Sequence, residues 1–586
     1  MNEIKIGDML YTLKNENECL SQSFECVEQR DDFCVLRVRM AFEKATVPTP
    51  LTVRWLQPML GFCGQWEPLG KFTRNIGPNW AKRGPKARTA VNAPLLSVFG
   101  YRQENKVTVA LSDVKNASSI QCGVVEENGV LDFRVNLLVE GGEPIKTYEA
   151  DIRIDCRDHS IFDAVASVRA YWEGLGYRIP RVPEGAYDPI YSTWYNFHQQ
   201  LDEAELLCEL KMAKALGMET VIIDDGWQTD DTARGYAYCG DWEVTPKKFA
   251  DMKKFVDAVH ALGMKVMVWY SVPFMGHSSK NHARFEGKFL YTIRHLNTDV
   301  LDPRYAEVRE FLVDIYVRAV RDYGLDGLKL DFIDEFKPKE GRSNTDYENM
   351  DCRSVEEAVH QLLDDVYKAL TAIKPDVLLE FRQGYIGPVV SAYGNMLRVA
   401  DCPNDPLSNR TGIVDLRMLS GVAVHSDMLM WHKQDAVQSV AKQLMCVMFG
   451  VPQISVTLAD LAEAHKTYLT GFLDFWRKHR EATVKGSLSA KGVAASYTQV
   501  TSQSDSEAVT VCYEDSAVTV SEKAHFIFNG SPEAAVYLDV EDDTPRLVRV
   551  LDTAWETVRT QEVCGNAVHK ICTPEGGMIQ VLPVKS

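Results

Sequence analysis

No apolar run in the 586 residues reaches the roughly 18–20 that a bilayer span requires. The stretch MNEIKIGDMLYTLKNENECL has no basic segment leading into an apolar one, so no secretory signal is expected. The 14 cysteines form no C-x-x-C pair and read as small buried residues, not a disulfide framework. A reduced, cytoplasmic protein is the expectation. H-E-x-x-H and H-x-x-x-H spacings are missing among the 13 histidines, and His425 and His432 stand seven apart across an apolar run. No metal site is therefore expected. There is no G-x-S-x-G elbow, and no glycine-rich phosphate loop follows any apolar run. Basic residues are the minority, 64 against 82 acidic, for a formal charge of −18. Such a surface repels nucleic-acid phosphates and anionic lipid, so neither is an expected partner. The basic stretch Lys71–Lys86, with Trp80, reads as a solvated loop.

What is present falls into three zones. Residues 1–183 carry short alternating runs such as CVLRVRMAF (34–42), LTVRWLQ (51–57), KVTVALSD (106–113) and VLDFRVNLLVE (130–140), with turns such as ENG (127–129) between them. That pattern predicts a β-sandwich. Residues 483–586 alternate again, as in AVTVCYE (508–514) and LVRVLDT (547–553), and predict a small antiparallel β domain.

Between them, residues 184–482 alternate short apolar runs with helical segments. The strand candidates are IYSTWYN (190–196), TVIIDDG (220–226), KVMVWYS (265–271), GLKLDF (327–332), LLEFRQ (378–383), MLRVAD (396–401), MLMW (428–431) and QISVTL (453–458). Eight such units fit a (β/α)8 TIM barrel, and without a phosphate loop an open doubly wound sheet fits less well. The helix of 201–217 opens with Asp202 and Glu205 at capping-box spacing and stops at Gly217. The same helix-stop-strand device recurs as Ala215-Leu216-Gly217-Met218 and Ala261-Leu262-Gly263-Met264.

Barrel enzymes carry their chemistry at the C-terminal ends of the strands. Those ends here hold Trp194, Asp224, Asp225, Trp269, Ser271, Asp331, Arg382 and Asp401. A single strand-end aspartate is as readily a helix cap; three strands ending in Asp, with Trp on two others, point to a polar and aromatic sugar pocket. Glycoside hydrolysis needs two carboxyl groups, one ionised and one able to hold a proton. Asp331 follows Lys329 by two residues, and the ammonium favours an ionised nucleophile. Asp401 lies near Asp405, and the neighbouring carboxylate is expected to hold it protonated.

In order and on successive strands, VIIDDGWQ (221–228), LGMKVMVWYS (262–271), YGLDGLKLDFID (323–334) and RVADCPNDP (398–406) resemble the melibiase-type α-galactosidases, glycoside hydrolase family 36 and its relative family 27. The resemblance runs over about residues 188–460, and the β-rich flanks look like the family's two β domains. It implies a retaining double displacement with Asp331 as nucleophile and Asp401 as acid/base. It also implies that Asp224 and Asp225 grip the C4 and C6 hydroxyls, that Lys329 and Arg398 bind hydroxyls and orient the carboxylates, and that no cofactor takes part. The family's multimers leave a homo-oligomer open, and an N-terminal loop with Trp80 is expected to close the site.

The sequence departs from the family in three places. Ser271-Val272-Pro273 replaces an acidic segment, and Phe381-Arg382-Gln383-Gly384-Tyr385 replaces a Cys-Ser-Gly-Gly-like segment that meets the C2 substituent. Arg382 is suited to an anionic group or one linked to an amino sugar, or simply reshapes the pocket. The spacing from Arg398 to Asp401 is one residue short, which leaves Asp405 as a rival acid/base. The competing readings are a clan-related α-glycosidase or transglycosylase on another sugar, a non-catalytic carbohydrate-binding barrel, and an enolising lyase or isomerase.

Overall fold

The computed structural model describes residues 2–81, 84–140, 142–338 and 349–583. Lys82 and Arg83 of the basic loop lie outside them. Two six-stranded sheets come first, built from strands between Glu3 and Asp155. Alternation in the strand Leu51–Pro58 buries Leu51, Val53 and Trp55. Trp55 stacks on Phe133 at 4.9 Å inside the sandwich. No described helix is long and apolar enough to cross a membrane.

The barrel strands, β1 to β8 in chain order, are Ile190–Ser192, Thr220–Ile223, Lys265–Ser271, Gly327–Asp331, Leu378–Arg382, Met396–Arg398, Ala423–His425 and Gln453–Ile454. They form one parallel sheet in the order β7-β6-β5-β4-β3-β2-β1-β8. Bridges His425 to Val451 and Leu429 to Ile454 join the two ends, so the sheet closes on itself. The (β/α)8 expectation holds, with one correction. The seventh strand is Ala423–His425, and MLMW contributes only the bridge at Leu429. Gly421 at φ +71° lies two residues before that short strand, whose three residues carry too little apolar periodicity to stand out.

The helix Glu203–Ala215 is capped as expected, Glu205 donating its backbone N–H to Asp202 Oδ1 at 2.9 Å. Its Leu206, Leu210 and Ala213 are buried. Gly217 (φ +93°) and Gly263 (φ +76°) take the left-handed turn that ends a helix and feeds a strand. After β3 the chain makes an unanticipated excursion, the three-stranded antiparallel sheet of Phe274–Gly276, Thr298–Leu301 and Phe289–Ile293.

The C-terminal β region holds a seven-stranded and a three-stranded sheet. It is antiparallel except where Glu507–Cys512 pairs with Ala524–Asn529 and Ala517–Val520 with Ala535–Val540. A crossover separates each of those pairs, which alternation alone cannot reveal.

One buried carboxylate ties the three regions together. Asp415, in the helix Pro406–Leu419, accepts from Trp66 Nε1 at 2.8 Å, from Arg74 Nη2 at 2.7 Å, and from the Tyr497 hydroxyl. Arg74 and Asp415 side chains are only 2% and 1% exposed. Removing one partner of such a pair strands a charge in a dry interior. Asp415→Asn is expected to destabilise the protein by ~3–5 kcal/mol, read as a lower denaturant midpoint; an unchanged midpoint would show that the pair contributes nothing.

Candidate active site

Strand periodicity builds the site. Residues two apart on one strand face the same side. The barrel interior therefore runs from an apolar floor of Ile190, Ile222, Met267, Leu378, Met396 and Ala423 to a polar layer above it. Lys329, Glu380, Arg398, His425 and Gln453 occupy that layer, all buried. The register sets Lys329 beside Trp269 and Glu380, and Arg398 beside Arg382 and His425. One step further up, Asp331 and Arg382 end β4 and β5.

Asp331 is held from three directions. Its Oδ1 accepts from Arg382 Nε at 2.8 Å and from the Phe332 backbone N–H at 2.8 Å, and its Oδ2 accepts from Trp269 Nε1 at 3.1 Å. Phe332 sits at φ +63°, a left-handed conformation unusual for a bulky residue, and this bends the backbone so that its N–H reaches the carboxylate. Burial alone would raise the Asp331 pKa. The guanidinium of Arg382, then Lys329 and Arg398, outweigh that and lower it. Asp331 is thus an ionised, oriented carboxylate, and Arg382 contributes more to this than the sequence neighbour Lys329.

Lys329 donates to Asp224 Oδ2 at 2.5 Å, while Asp224 Oδ1 accepts from the Asp225 backbone N–H at 2.9 Å. Asp225 is turned away to two amides, Gln199 Nε2 at 2.6 Å and Gln228 Nε2 at 2.7 Å. Burial pushes its pKa up to about 6. Trp194 stands not on a strand but in the one-turn helix Trp194–Phe197, edge-on to His198 and beneath the Arg234 guanidinium at 5.3 Å.

Arg398 is the centre of the second half. Its Nη2 donates to Asp401 Oδ1 at 2.8 Å, its Nη1 to the Val399 carbonyl at 2.9 Å and to Asp427 Oδ1. Asp427 also accepts from the Tyr195 hydroxyl at 2.9 Å and the Cys402 N–H at 2.7 Å. Asp401 lies at the lip, its side chain 58% exposed. Arg398 draws its pKa down to about 2. The expectation that Asp405 keeps Asp401 protonated is therefore wrong for the unliganded protein, because a guanidinium in contact outweighs a carboxylate nearby in sequence. Asp405 instead caps the next helix, accepting from Ser408 N–H at 3.0 Å and Ser408 Oγ at 2.6 Å.

Sequence reasoning missed Asp427, Glu380 and Tyr195. Asp427 lies two residues past the end of β7, a strand too short to be placed from its apolar pattern. Glu380 was visible as an inward position two before Arg382. A cavity of about 280 Å³ flanks Asp401, with Lys71 and Phe72 of the N-terminal sandwich among its walls. The N-terminal loop thus reaches the site through those two residues. Trp80 is 72% exposed and donates to Glu126 at 3.0 Å within its own domain. His425 Nε2 contacts the Ala186 carbonyl at 2.8 Å inside the barrel.

A sequence profile of the melibiase family matches residues 186–486. The chain is 27% identical over 205 residues to alpha-galactosidase Mel36A of Lactobacillus acidophilus, a match covering 33% of this chain and 26% of that protein. It is 26% identical over 171 residues to an A type blood alpha-D-galactosamine galactosaminidase of Flavonifractor plautii, covering 26% and 15%. The matched stretches are thus well under two thirds of those relatives' own length. Among solved structures, the alpha-galactosidase of Lactobacillus brevis superposes with a TM-score of 0.66 at 13% identity, over 99% of this chain and 82% of that one. A doubly substituted variant of the alpha-galactosidase AgaA of Geobacillus stearothermophilus, in complex with raffinose, superposes with a TM-score of 0.64 at 13% identity, over 98% of this chain and 83% of that one.

Asp401's depressed pKa fixes the sign of its contribution to folding. The stabilisation is complete above its unfolded pKa of about 3.9 and is lost as pH falls toward about 2. With carboxyl-¹³C aspartate, the Asp401 signal, assigned by its loss in Asp401→Asn, is expected to titrate near the low value. In Arg398→Gln the midpoint should rise by roughly 1–3 units. A wild-type midpoint in the ordinary carboxylate range would contradict the pairing.

Proposed function

The chain belongs to the melibiase family, and from that premise we propose that it hydrolyses terminal α-galactosides with retention, through a covalent glycosyl ester on Asp331. The observation that carries this reading is the placement of two carboxylates, Asp331 at the end of β4 and Asp401 after β6, on one rim of a closed barrel, with Asp331 feeling the charge of Asp401. Asp331 attacks the anomeric carbon while Asp401 gives a proton to the departing oxygen. Asp401 then takes a proton from the water that opens the ester. Lys329 fixes Asp224 for the sugar hydroxyls; Asp225, held by Gln199 and Gln228, orients the same wall. The cavity beside Asp401 suits the leaving group. Paired carboxylates favour an enzyme over a purely carbohydrate-binding barrel, which needs the grip and not both acids. A cytoplasmic location agrees with 14 free thiols.

Arg382 bears on the glycone. Its Nε and Nη2 are committed to Asp331 and to Asp334 at 3.2 Å, which favours an orienting role over capture of an anionic sugar. The Flavonifractor plautii relative is named for a galactosamine substrate, so an α-linked amino sugar is the second reading to assay.

Wild-type protein is expected to hydrolyse p-nitrophenyl α-galactoside, and Asp331→Ala to lose at least ~10²–10⁴ of that rate. Azide separates the roles. With Asp331→Gly it should restore activity and yield β-galactosyl azide. With Asp401→Gly it should yield the α-azide. The reverse products would exchange the two assignments, and a wild type inactive on this glycoside but active on the galactosamine analogue would move the proposal to the amino sugar.

A further inference from the structure

The excursion after β3 carries a cluster that the glycosidase reading does not use. His277 follows its first strand, His282 opens the short 3-10 helix His282–Phe285, and Asp299 lies on the strand Thr298–Leu301. Both imidazoles aim at the same atom. His282 Nε2 is 2.7 Å and His277 Nε2 3.3 Å from Asp299 Oδ2. The three donor atoms lie within 4.8 Å of one another. We propose that His277, His282 and Asp299 form a site for a borderline divalent transition-metal ion of the zinc type, completed by water.

Geometry and donor chemistry both favour it. Imidazole and carboxylate bind zinc at about 2.0–2.2 Å, so ligand atoms of a tetrahedral site stand about 3.3–3.5 Å apart. The His277 to Asp299 separation of 3.3 Å is already there. The His282 contact opens by turning a ring whose side chain is 30% exposed. The other oxygen of Asp299 accepts from the Thr292 hydroxyl, the kind of outer contact that holds a ligating carboxylate in place. His282 is further held against Phe289, ring centroids 5.1 Å apart. The His277 side chain is 40% exposed, leaving the fourth position open to water.

Such an ion would staple the excursion. Strands of three to five residues depend on packing for their stability. Its inner end matters to the pocket: Phe274 packs on Phe332 at 4.6 Å and on Tyr236 at 5.3 Å, and Tyr236 stacks on Trp269 at 6.1 Å. The ion would fasten the outer end of a wall whose inner end touches the residues around Asp331. The histidines are five apart, outside the H-x-x-x-H spacing of a helical site, because a turn between the strand and the 3-10 helix brings them together.

The test uses tag-free full-length protein, stripped with chelator and dialysed against zinc, with bound metal quantified. One zinc per chain is expected. It should be lost in His277→Gln, which alters an exposed side chain, and weakened about 10–100-fold in Thr292→Ala. Cobalt(II) gives a second readout, an intense d–d absorption of a four-coordinate site in the wild type that is absent from His277→Gln. Zinc should also raise the Tm of the wild type and leave that of His277→Gln unmoved. No stoichiometric zinc in the wild type, or zinc held equally by His277→Gln and Asp299→Asn, would overturn the site.

Discussion

Arg398 has nowhere to put its charge except on carboxylates. It is 1% exposed, in a barrel whose interior also holds Lys329, and an unpaired buried charge costs several kcal/mol. Asp427 and Asp401 pair with Arg398, Glu380 lies 3.7 Å from it, and Asp224 answers Lys329. Arg382 completes the set with Asp331 and Asp334. Each cation pins carboxylates to a strand end, so charge balance and site geometry are one arrangement. The strands deliver these groups to one level because their inward positions recur every second residue. The helix Pro406–Leu419 then anchors the Asp401 loop to both flanking β regions through Asp415.

The same charges create a demand on the chemistry. On the mechanism proposed above, a carboxyl with a pKa of about 2 in the unliganded protein rests as a base, whereas the first half-reaction would need an acid. A sugar seated at the rim replaces water around Asp401 and brings the departing oxygen to it. Desolvation and the ionised Asp331 both favour taking up a proton. In that scheme Asp401 is left ionised when it gives its proton to the departing oxygen; with the Asp331 charge gone into the ester, Arg398 would keep it ionised, as the base that the second half-reaction would use. Asp427 shares the Arg398 guanidinium, so the cation would stay neutralised while Asp401 changed its protonation.

The barrel and both flanking β regions were legible because period-two and helical patterns switch cleanly along the chain. The rim positions of Asp331 and Trp269 were legible because strand ends are where such a barrel exposes chemistry, Lys329 was legible as the residue two before Asp331, and Arg398 entered only through the family resemblance. What the sequence concealed has a common cause. Short strands of two or three residues, such as Ala423–His425, carry too little periodicity to place, so Asp427 was overlooked. Partners distant in the chain cannot be ranked by proximity in sequence. Asp405 appeared to be the neighbour of Asp401, yet it caps a helix while Arg398 makes the contact. Trp80 was the conspicuous aromatic of the N-terminal loop, but Phe72 reaches the cavity. Arg382 read as a substrate contact, and its partner is the Asp331 carboxylate.

The most direct test is covalent. A galacto-configured α-cyclophellitol epoxide alkylates the nucleophile of a retaining α-galactosidase, and proteolysis with mass spectrometry locates the label. The account requires one label per chain, on Asp331 within the strand Gly327–Asp331. A label on Asp401 or Asp427, or no label on an enzyme that still hydrolyses the α-galactoside, would contradict it.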